Sequence, residues 1–451
     1  MKAIIAGTGI SGVCAAGLLL DRGYDVVLFD EKSNKNETVI RASIKGAAQA
    51  GDRLVIRLGE LMPEDMDGCE MCVMSPGINP RTAPFALQLT GAGVPLVSEI
   101  ELGYRMGRGR VAAITGTNGK TTTTALLGHI VKAAGLDTFV AGNIGTGYTS
   151  IVEQLTDESV TVLEVAGFHL ETCSTFAPNV SAILNITPDH LDRFETMERY
   201  IRAKEKIAAA QRPEDVIVLN AEDPELARFG ASVRPRVKWF SSARELEEGA
   251  FIRGEYIIIR EAGAERALCR IGDLQLLGKH NYENVMAAAL MALSLGISPE
   301  SVSKSVLTFK SVEHRIEFVR EAGGVTYYND SKGTNPDASI QAVKAMNRPT
   351  VLIAGGFDKH IDFTDWIKVC IGRVRHMVIL GACGAQIAAT CDKLGFDCYE
   401  MADSFDEAVE LAHKAARPGD AVLLSPGCAS WDMFPNFEVR GRHFKELVNK
   451  L

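Results

Sequence analysis

Short apolar runs recur along the whole chain, and each gives way to a stretch whose apolar positions are spaced for a helix. Near the start the runs are Lys2–Ala6, 25–29 and 71–74, with a helix predicted over 11–22. Runs at 111–114, 161–165 and 180–186 follow, and an alanine-rich helix over 284–295 is terminated by Gly296. The last set is Val325–Asn329, 351–353, 377–380 and Ala421–Leu424. Apolar runs without strict alternation, separated by helices, predict parallel strands covered on both faces. The chain therefore reads as α/β in three domains, 1–98, 99–310 and 311–451. The first and last are Rossmann-like and the middle one resembles a P-loop ATPase.

The middle assignment rests on Ala113-Ile-Thr-Gly-Thr-Asn-Gly-Lys-Thr-Thr122, an apolar strand running into a glycine-bearing turn that ends in a lysine and two hydroxyls. Such a turn aims backbone N–H groups at one point and opens a helix whose N-terminus favours anions. Gly116, Thr117, Asn118 and Gly119 form the turn, Lys120 neutralises a terminal phosphate, and of the hydroxyl pair Thr121 and Thr122 the first can reach a magnesium ion, so the whole run 116–122 is read as ATP-binding. The strict Walker spacing asks for glycine at 114, where this chain has Ile114. The Lys-Thr-Thr run is what an ordinary strand-to-helix turn leaves unexplained.

Polar residues gather at other strand ends. Gly7-Thr-Gly-Ile-Ser-Gly12 fits the dinucleotide fingerprint, and Asp30 ends the second strand where a ribose hydroxyl is held. Ser75-Pro-Gly-Ile78 is a turn able to cradle a diphosphate, so this end reads as a nucleotide-diphosphate site with NAD as the rival. Glu164 ends its strand about forty residues past the P-loop, the place for a carboxylate that holds magnesium. Asn185-Ile-Thr-Pro-Asp-His-Leu-Asp-Arg193 puts Asp189, His190 and Asp192 at another strand end, a candidate second metal position. In the last domain, 330–334, 355–359 and 425–430 are expected to face one cleft.

Composition removes several function classes. With 48 Lys and Arg against 57 Asp and Glu, net charge is −9, and the chain has no basic tract to neutralise a nucleic acid backbone or an anionic membrane. No run of about 18 apolar residues and no leader pattern is present, so membrane insertion is not expected and a cytoplasmic location is. The ten cysteines are scattered, and the pair Cys69 and Cys72 has no partner pair at zinc-finger spacing; neither disulfide nor zinc is assigned.

Taken together, the loop Gly116-Thr-Asn-Gly-Lys-Thr121, the segment Asn185 to Asp192 and Gly278-Lys-His-Asn-Tyr-Glu-Asn284 resemble the Mur ligases, ATP-dependent amide-forming enzymes of peptidoglycan assembly. The resemblance covers essentially the whole chain. Tyr328-Asn-Asp-Ser-Lys-Gly-Thr-Asn335 and Ser425-Pro-Gly-Cys-Ala-Ser-Trp-Asp432 are similar to the members that add D-glutamate. The resemblance implies small-molecule substrates, UDP-N-acetylmuramoyl-L-alanine and D-glutamate, with ATP and two Mg2+ ions, and a monomer. It implies an acyl-phosphate intermediate attacked by the amine of D-glutamate. By the same resemblance Lys120, His190 and Lys204 are catalytic. Thr121 and Glu164 hold one Mg2+, and His190 with a carbamylated Lys204 the other. Asn281, Asn284, Arg315 and Asp330 contact ATP. Ser11, Asp30, Ser75, Gly77 and Asn143 bind the UDP substrate. Lys332, Thr334, Lys359, Ser430 and Phe437 bind D-glutamate. Nothing in pattern or spacing singles out Lys204.

Three positions depart from the family pattern. Ala166-Gly-Phe-His169 stands where Ser-Ser-Phe-Gln is usual, which removes two hydroxyls and adds an imidazole. Trp431 replaces a leucine beside the glutamate segment. Asp30-Glu-Lys32 stands for Asp-Thr-Arg, with Lys32 the expected compensating cation.

Overall fold

The structure is a computed structural model that describes residues 1–143, 145–310, 312–357 and 361–451. Its described strands fall into three sheets. The first holds β1 (Lys2–Ala6), β2 (Asp25–Asp30), β3 (Leu54–Leu58), β4 (Cys69–Met74) and β5 (Leu96–Ser98), in the order β3-β2-β1-β4-β5. All four pairings are parallel. Alternate residues serve opposite faces: Ile5, Leu28 and Val73 enter one apolar cluster, and Ile4, Val27 and Cys72 enter the other. Helices cover both faces, which is why these strands are mostly apolar.

The second sheet contains β6 (Arg110–Thr115), β7 (Thr138–Gly142), β8 (Val160–Glu164), β9 (Val180–Ile183), β10 (Val216–Asn220) and β11 (Arg236–Ser241). The hairpin strands β12 (Gly249–Arg253), β13 (Tyr256–Glu261) and β14 (Ala264–Arg270) extend it. The order is β14-β13-β12-β11-β10-β9-β6-β8-β7. From β6 the chain runs first to one side, through β7 and β8, and then returns to β9 on the other side. The loop after β6 therefore sits at a switch point, where the crevice of a parallel sheet opens. The expected strand over 180–186 stops at Ile183, because residues 184–187 turn to hydrogen-bond the P-loop: Thr117 N–H donates to Asn185 O at 3.0 Å.

The third sheet holds β15 (Glu317–Ala322), β16 (Val325–Asn329), β17 (Thr350–Gly355), β18 (Val374–Leu380), β19 (Tyr399–Met401) and β20 (Ala421–Leu424). Its order, β15-β16-β20-β17-β18-β19, inserts the last strand between β16 and β17. Among the described strands of this sheet, only β15 runs antiparallel to its neighbour.

Two compact units emerge: residues 1–272 with 283–306, carrying the first two sheets, and residues 273–282 with 307–451, carrying the third. Within the first unit the helix Glu99–Met106 ties the sheets together. Ser98, the last residue of β5, caps it by accepting the Glu101 N–H at 3.1 Å. The buried Glu99 carboxylate accepts the Thr149 N–H and hydroxyl, and that of Glu101 accepts those of Thr175. The helix expected over 284–295 begins earlier, as Lys279–Ser294, so the Gly278-to-Asn284 motif is mostly helical. No described helix is long and apolar enough to cross a membrane.

Candidate active site

In the first unit the loop after β6 is held in the shape an anion cradle needs. Gly116 and Gly119 have φ of 151° and 84°, values a side chain resists, and a Cβ on Gly119 would lie 2.3 Å from Asn284 Oδ1. Asn284 also accepts from the Thr123 hydroxyl at 3.2 Å. Its closest described role is thus to brace the loop and the helix Lys120–Ala133. Asn118 and Asn185 exchange two hydrogen bonds, 2.8 and 3.1 Å, which fix the loop against the end of β9. Lys120 Nζ folds back onto the carbonyls of Gly116 and Thr117, both at 2.8 Å. Thr121 and Thr122 are buried in the first turn of the helix.

Glu164 ends β8, the strand next to β6, and only 3% of it is exposed. Its Oε1 accepts from Asn143 Nδ2 at 3.0 Å, while Oε2 is buried with no partner. A buried carboxylate oxygen without a donor is costly unless a cation completes it. Asn143 is further fixed by its N–H, which donates to Glu164 O at 2.8 Å.

Lys204, on the helix Met197–Glu205, is 2% exposed and donates to Gly116 O at 3.0 Å. Its ammonium lies 4.4 Å from the Tyr200 ring centre. Burial, then the nearby Lys120 charge, lowers its pKa to about 7, against a partial opposing pull from Asp189. Tyr200 also bonds Thr117 Oγ1 through its hydroxyl at 3.0 Å. The lysine's environment is thus tertiary, which explains why the sequence carried no sign of it.

His190 has a left-handed backbone, φ 52°, and a half-exposed side chain with Nε2 3.4 Å from Asp189 Oδ2. Its ring meets Phe168 edge-on at 4.8 Å, and Phe168 stacks on Phe194, which packs against Tyr200. An aromatic row therefore connects the His190 and Lys204 segments. Asp192 does not join Asp189 and His190 in a metal-sized cluster among the described residues. The imidazole added at His169 turns inward: its Nδ1 accepts the Ala166 N–H at 3.3 Å, and burial lowers its pKa to about 4. It caps a short helical turn as a neutral ring.

At the first sheet, Gly7 and Gly12 are required by contact. A Cβ on Gly12 would lie 1.8 Å from Gly7 O, and one on Gly7 would lie 2.4 Å from Ser75 Oγ. The ends of β1 and β4 thus touch, Ser75 Oγ is buried without a partner, Ser11 is half-buried at the start of the helix Ile10–Asp21, and Gly77 is exposed. Asp30 Oδ2 is occupied by Thr8 N–H, Thr8 Oγ1 and Lys35 Nζ at 3.0, 2.7 and 2.6 Å. Burial pushes this carboxyl up, but Lys35 and Thr8 outweigh it and hold the pKa at about 2. The cation beside Asp30 is therefore Lys35; Lys32 gives only its backbone N–H, at 3.1 Å.

Sequence reasoning also missed Arg81 and Arg193. Arg193 donates to Ile78 O at 3.0 Å and to Glu171 at 2.9 Å, and also to Pro76 O, while Arg81 pairs with Glu171 and donates to Arg193 O. Both cations border the Ser75 turn, with buried Nε atoms that have no partner. Arg193 closes the quoted Asn185-to-Arg193 motif, the one signal available.

In the second unit the three segments expected to share a cleft do adjoin, apart from Lys359, which lies outside the described residues. Ser425 Oγ donates to Asp330 Oδ2 at 2.7 Å, Gly427 N–H to Gly333 O at 2.9 Å, and Phe357 N–H to Ala429 O at 2.9 Å. Lys332 Nζ stands 5.6 Å over the Phe437 ring, and Thr334 N–H donates to Lys332 O. Ser430 is 1% exposed, whereas Trp431 is 62% exposed and leans on Phe357 at 5.5 Å between ring centres. Burial raises the Asp330 pKa to about 7 despite Ser425 and Arg315. Asn281 donates to Leu277 O at 2.7 Å, and Arg315 keeps a buried, unpartnered Nε.

Residues 114–292 match the Mur ligase middle domain, and residues 314–428 match the Mur ligase glutamate ligase domain. A UDP-N-acetylmuramoylalanine–D-glutamate ligase of Lachnoclostridium phytofermentans is 46% identical over 100% of this chain and 98% of its own length. One of the same name from Lachnospira eligens is 46% identical over 99% and 98%. Among solved structures, the UDP-N-acetylmuramate-alanine ligase MurC of Thermotoga maritima superposes with a TM-score of 0.61 at 18% identity, covering 100% of this chain and 99% of that one. MurF of Acinetobacter baumannii gives 0.60 at 20%, covering 100% and 93%. These distant matches speak for the fold, and the matched domains and full-length relatives for the lineage: the chain belongs to the Mur ligase family.

Proposed function

We propose that this chain joins the carboxyl group of UDP-N-acetylmuramoyl-L-alanine to the amine of D-glutamate at the expense of ATP, through an acyl phosphate. The observation that carries the chemistry is the P-loop with its lysine one strand away from a buried carboxylate that has an orphaned oxygen. The names of the full-length relatives support the choice of substrates.

The loop N–H groups and Lys120 bind the β and γ phosphates, so that charge developing during transfer meets fixed donors. Glu164 with Thr121 fits one Mg2+, because its Oε2 has no other partner. His190 and Lys204 are assigned to a second. When bound, magnesium offsets the repulsion between triphosphate and substrate carboxylate. A lysine amine titrating near 7 is neutral often enough to take up carbon dioxide, and the resulting carbamate is an anionic ligand. Asn143, anchored to Glu164, orients the muramoyl-alanine end. Ser11, Asp30, Ser75 and Gly77 are assigned to the UDP end. Asn281, Asn284, Arg315 and Asp330 are assigned to ATP, and Lys332, Thr334, Lys359, Ser430 and Phe437 to D-glutamate, whose carboxylates need cations. Residues 1–98, 99–310 and 311–451 are read as the UDP-substrate, ATP/Mg2+ and amino-acid domains of a cytoplasmic monomer.

The test crosses UDP-muramoyl-alanine with single amino acids and follows ADP release, using substrate labelled with heavy oxygen in its free carboxyl group. Turnover with D-glutamate and transfer of one label to orthophosphate are expected. ADP release with unlabelled phosphate removes the acyl phosphate, and turnover with another amino acid only removes the D-glutamate assignment.

A further inference from the structure

The second unit contains a pair of sulfur atoms that the reaction does not use. Cys383 and Cys428 are 1% and 2% exposed, and their Sγ atoms are 3.0 Å apart. They come from separate elements. Cys383 is the N-cap of the helix Gly384–Leu394, with its N–H on Gly356 O at 3.0 Å. Cys428 lies in the Ser425-to-Ser430 segment, two residues before Ser430. The buried Arg440 guanidinium donates to Cys428 O at 3.2 Å and to Ser331 O at 2.9 Å, and its NH1 has no partner. A Cβ on Gly356 would lie 3.2 Å from Cys428 Cβ and 3.3 Å from that NH1, so the unpaired cation and the thiols adjoin.

We propose that Cys383 and Cys428 form a reversible dithiol–disulfide pair, oxidised by a hydroperoxide, whose closure impairs the amino-acid segment 425–430. The rival reading, a cysteine metal site, lacks a further ligand: among the described residues no third Cys, His, Asp or Glu comes within metal reach of the two sulfurs. The effect on the amino-acid segment rests on the assignment of Ser430 given above; the dithiol does not.

Either sulfur can donate in this contact; with Cys428 as donor the Cys383 thiol is held below its ordinary value while that of Cys428 rises. The helix N-terminus favours the same thiolate, the Asp432 carboxylate opposes it, and Arg440 acts mainly on Cys428. In the first step the Cys383 thiolate attacks one peroxide oxygen and the O–O bond breaks. The departing hydroxide takes up a proton to become water, leaving a sulfenic acid on Cys383. The Cys428 sulfur then attacks the Cys383 sulfur, the S–O bond breaks, and the hydroxyl leaves with the Cys428 proton as a second water. Two thiols lose two electrons and two protons, and one peroxide becomes two waters. Bonding distance is about 2.05 Å, so the sulfurs must approach by roughly 1 Å. That movement pulls on a segment bonded to Asp330 through Ser425 and to Phe357 through Ala429.

The full chain is treated with hydrogen peroxide at neutral pH, alkylated while denatured and unreduced, digested and analysed by mass. Expected is a peptide pair joining Cys383 to Cys428, two hydrogens lighter than the separate thiols and released by dithiothreitol. Oxidation is expected to raise KM for D-glutamate at least about tenfold, reversibly, and Cys383→Ser to abolish both cross-link and inhibition while retaining turnover. Recovery of both residues as alkylated thiols, once exposed Cys398 has been oxidised, overturns the pair. A cross-link with unchanged KM overturns the effect on the segment. A cross-link in a protein whose reduced form has no D-glutamate turnover upholds the dithiol and removes the functional reading instead.

Discussion

Asp330→Asn isolates the energetic consequence of burying a carboxyl at the end of β16. The wild-type group is 5% exposed, accepts from Ser425 Oγ at 2.7 Å and Ile316 N–H at 3.2 Å, and titrates near 7. In the unfolded chain it titrates at the ordinary aspartate value of 3.8. Between those values the native state binds more protons than the unfolded state, so stability falls as pH rises. The group's favourable contribution is complete below 3.8 and lost as pH rises through 7. At about 1.4 kcal/mol per unit, the three-unit interval is worth about 4 kcal/mol, of which roughly 3 falls between pH 5 and 8. Asparagine keeps the shape and removes the titration. Urea unfolding is followed through Trp366, which packs under the 425–428 turn against Gly427, in a background with Trp239→Phe and Trp431→Phe. From pH 5 to pH 8 the variant is expected to gain roughly 3 kcal/mol on its parent, a relative midpoint shift of about 1–2 M. Parallel pH dependences of the two proteins would refute the raised carboxyl and the burial argument behind it.

Lys120→Ala is expected to abolish turnover while UDP-substrate affinity, measured by calorimetry, stays within about threefold; loss of that binding would show the lysine to be misplaced. Gly119→Ala puts a side chain at φ 84° and 2.3 Å from Asn284 Oδ1, so about 1–2 kcal/mol of left-handed strain should weaken nucleotide binding and lower Tm. Unchanged ATP titration would show that the loop relaxes freely. Because the Lys204 pKa is lowered to about 7, its neutral amine increases as pH rises from 6 to 8. A carbamate signal from 13C-bicarbonate should increase over that range in the wild type and be missing in Lys204→Met; a signal independent of pH would contradict the depressed amine.

The strands were legible because parallel strands covered on both faces are mostly apolar without strict alternation, as in β17. The P-loop was legible for a different reason: Gly116, Gly119 and Lys120 are neighbours in sequence, and the turn uses them as neighbours. Lys35 was missed because its pairing with Asp30 depends on how the chain after β2 folds back. Arg81 and Arg193 meet at Glu171 from positions 90 and 22 residues away, a distance over which spacing carries no information.

The sequence by itself determined the α/β class, the strand-to-loop-to-helix anion cradle and the grouping of polar residues at strand ends, because these follow from local periodicity and backbone conformation. Only the tertiary structure decided which of those groups are altered by their surroundings. Glu164 has a partner for one oxygen and none for the other, Lys204 is a buried amine near neutrality, and His169 is an inward cap. The physical reason is that desolvation and hydrogen-bond satisfaction depend on everything packed around a group, and most of that comes from distant parts of the chain.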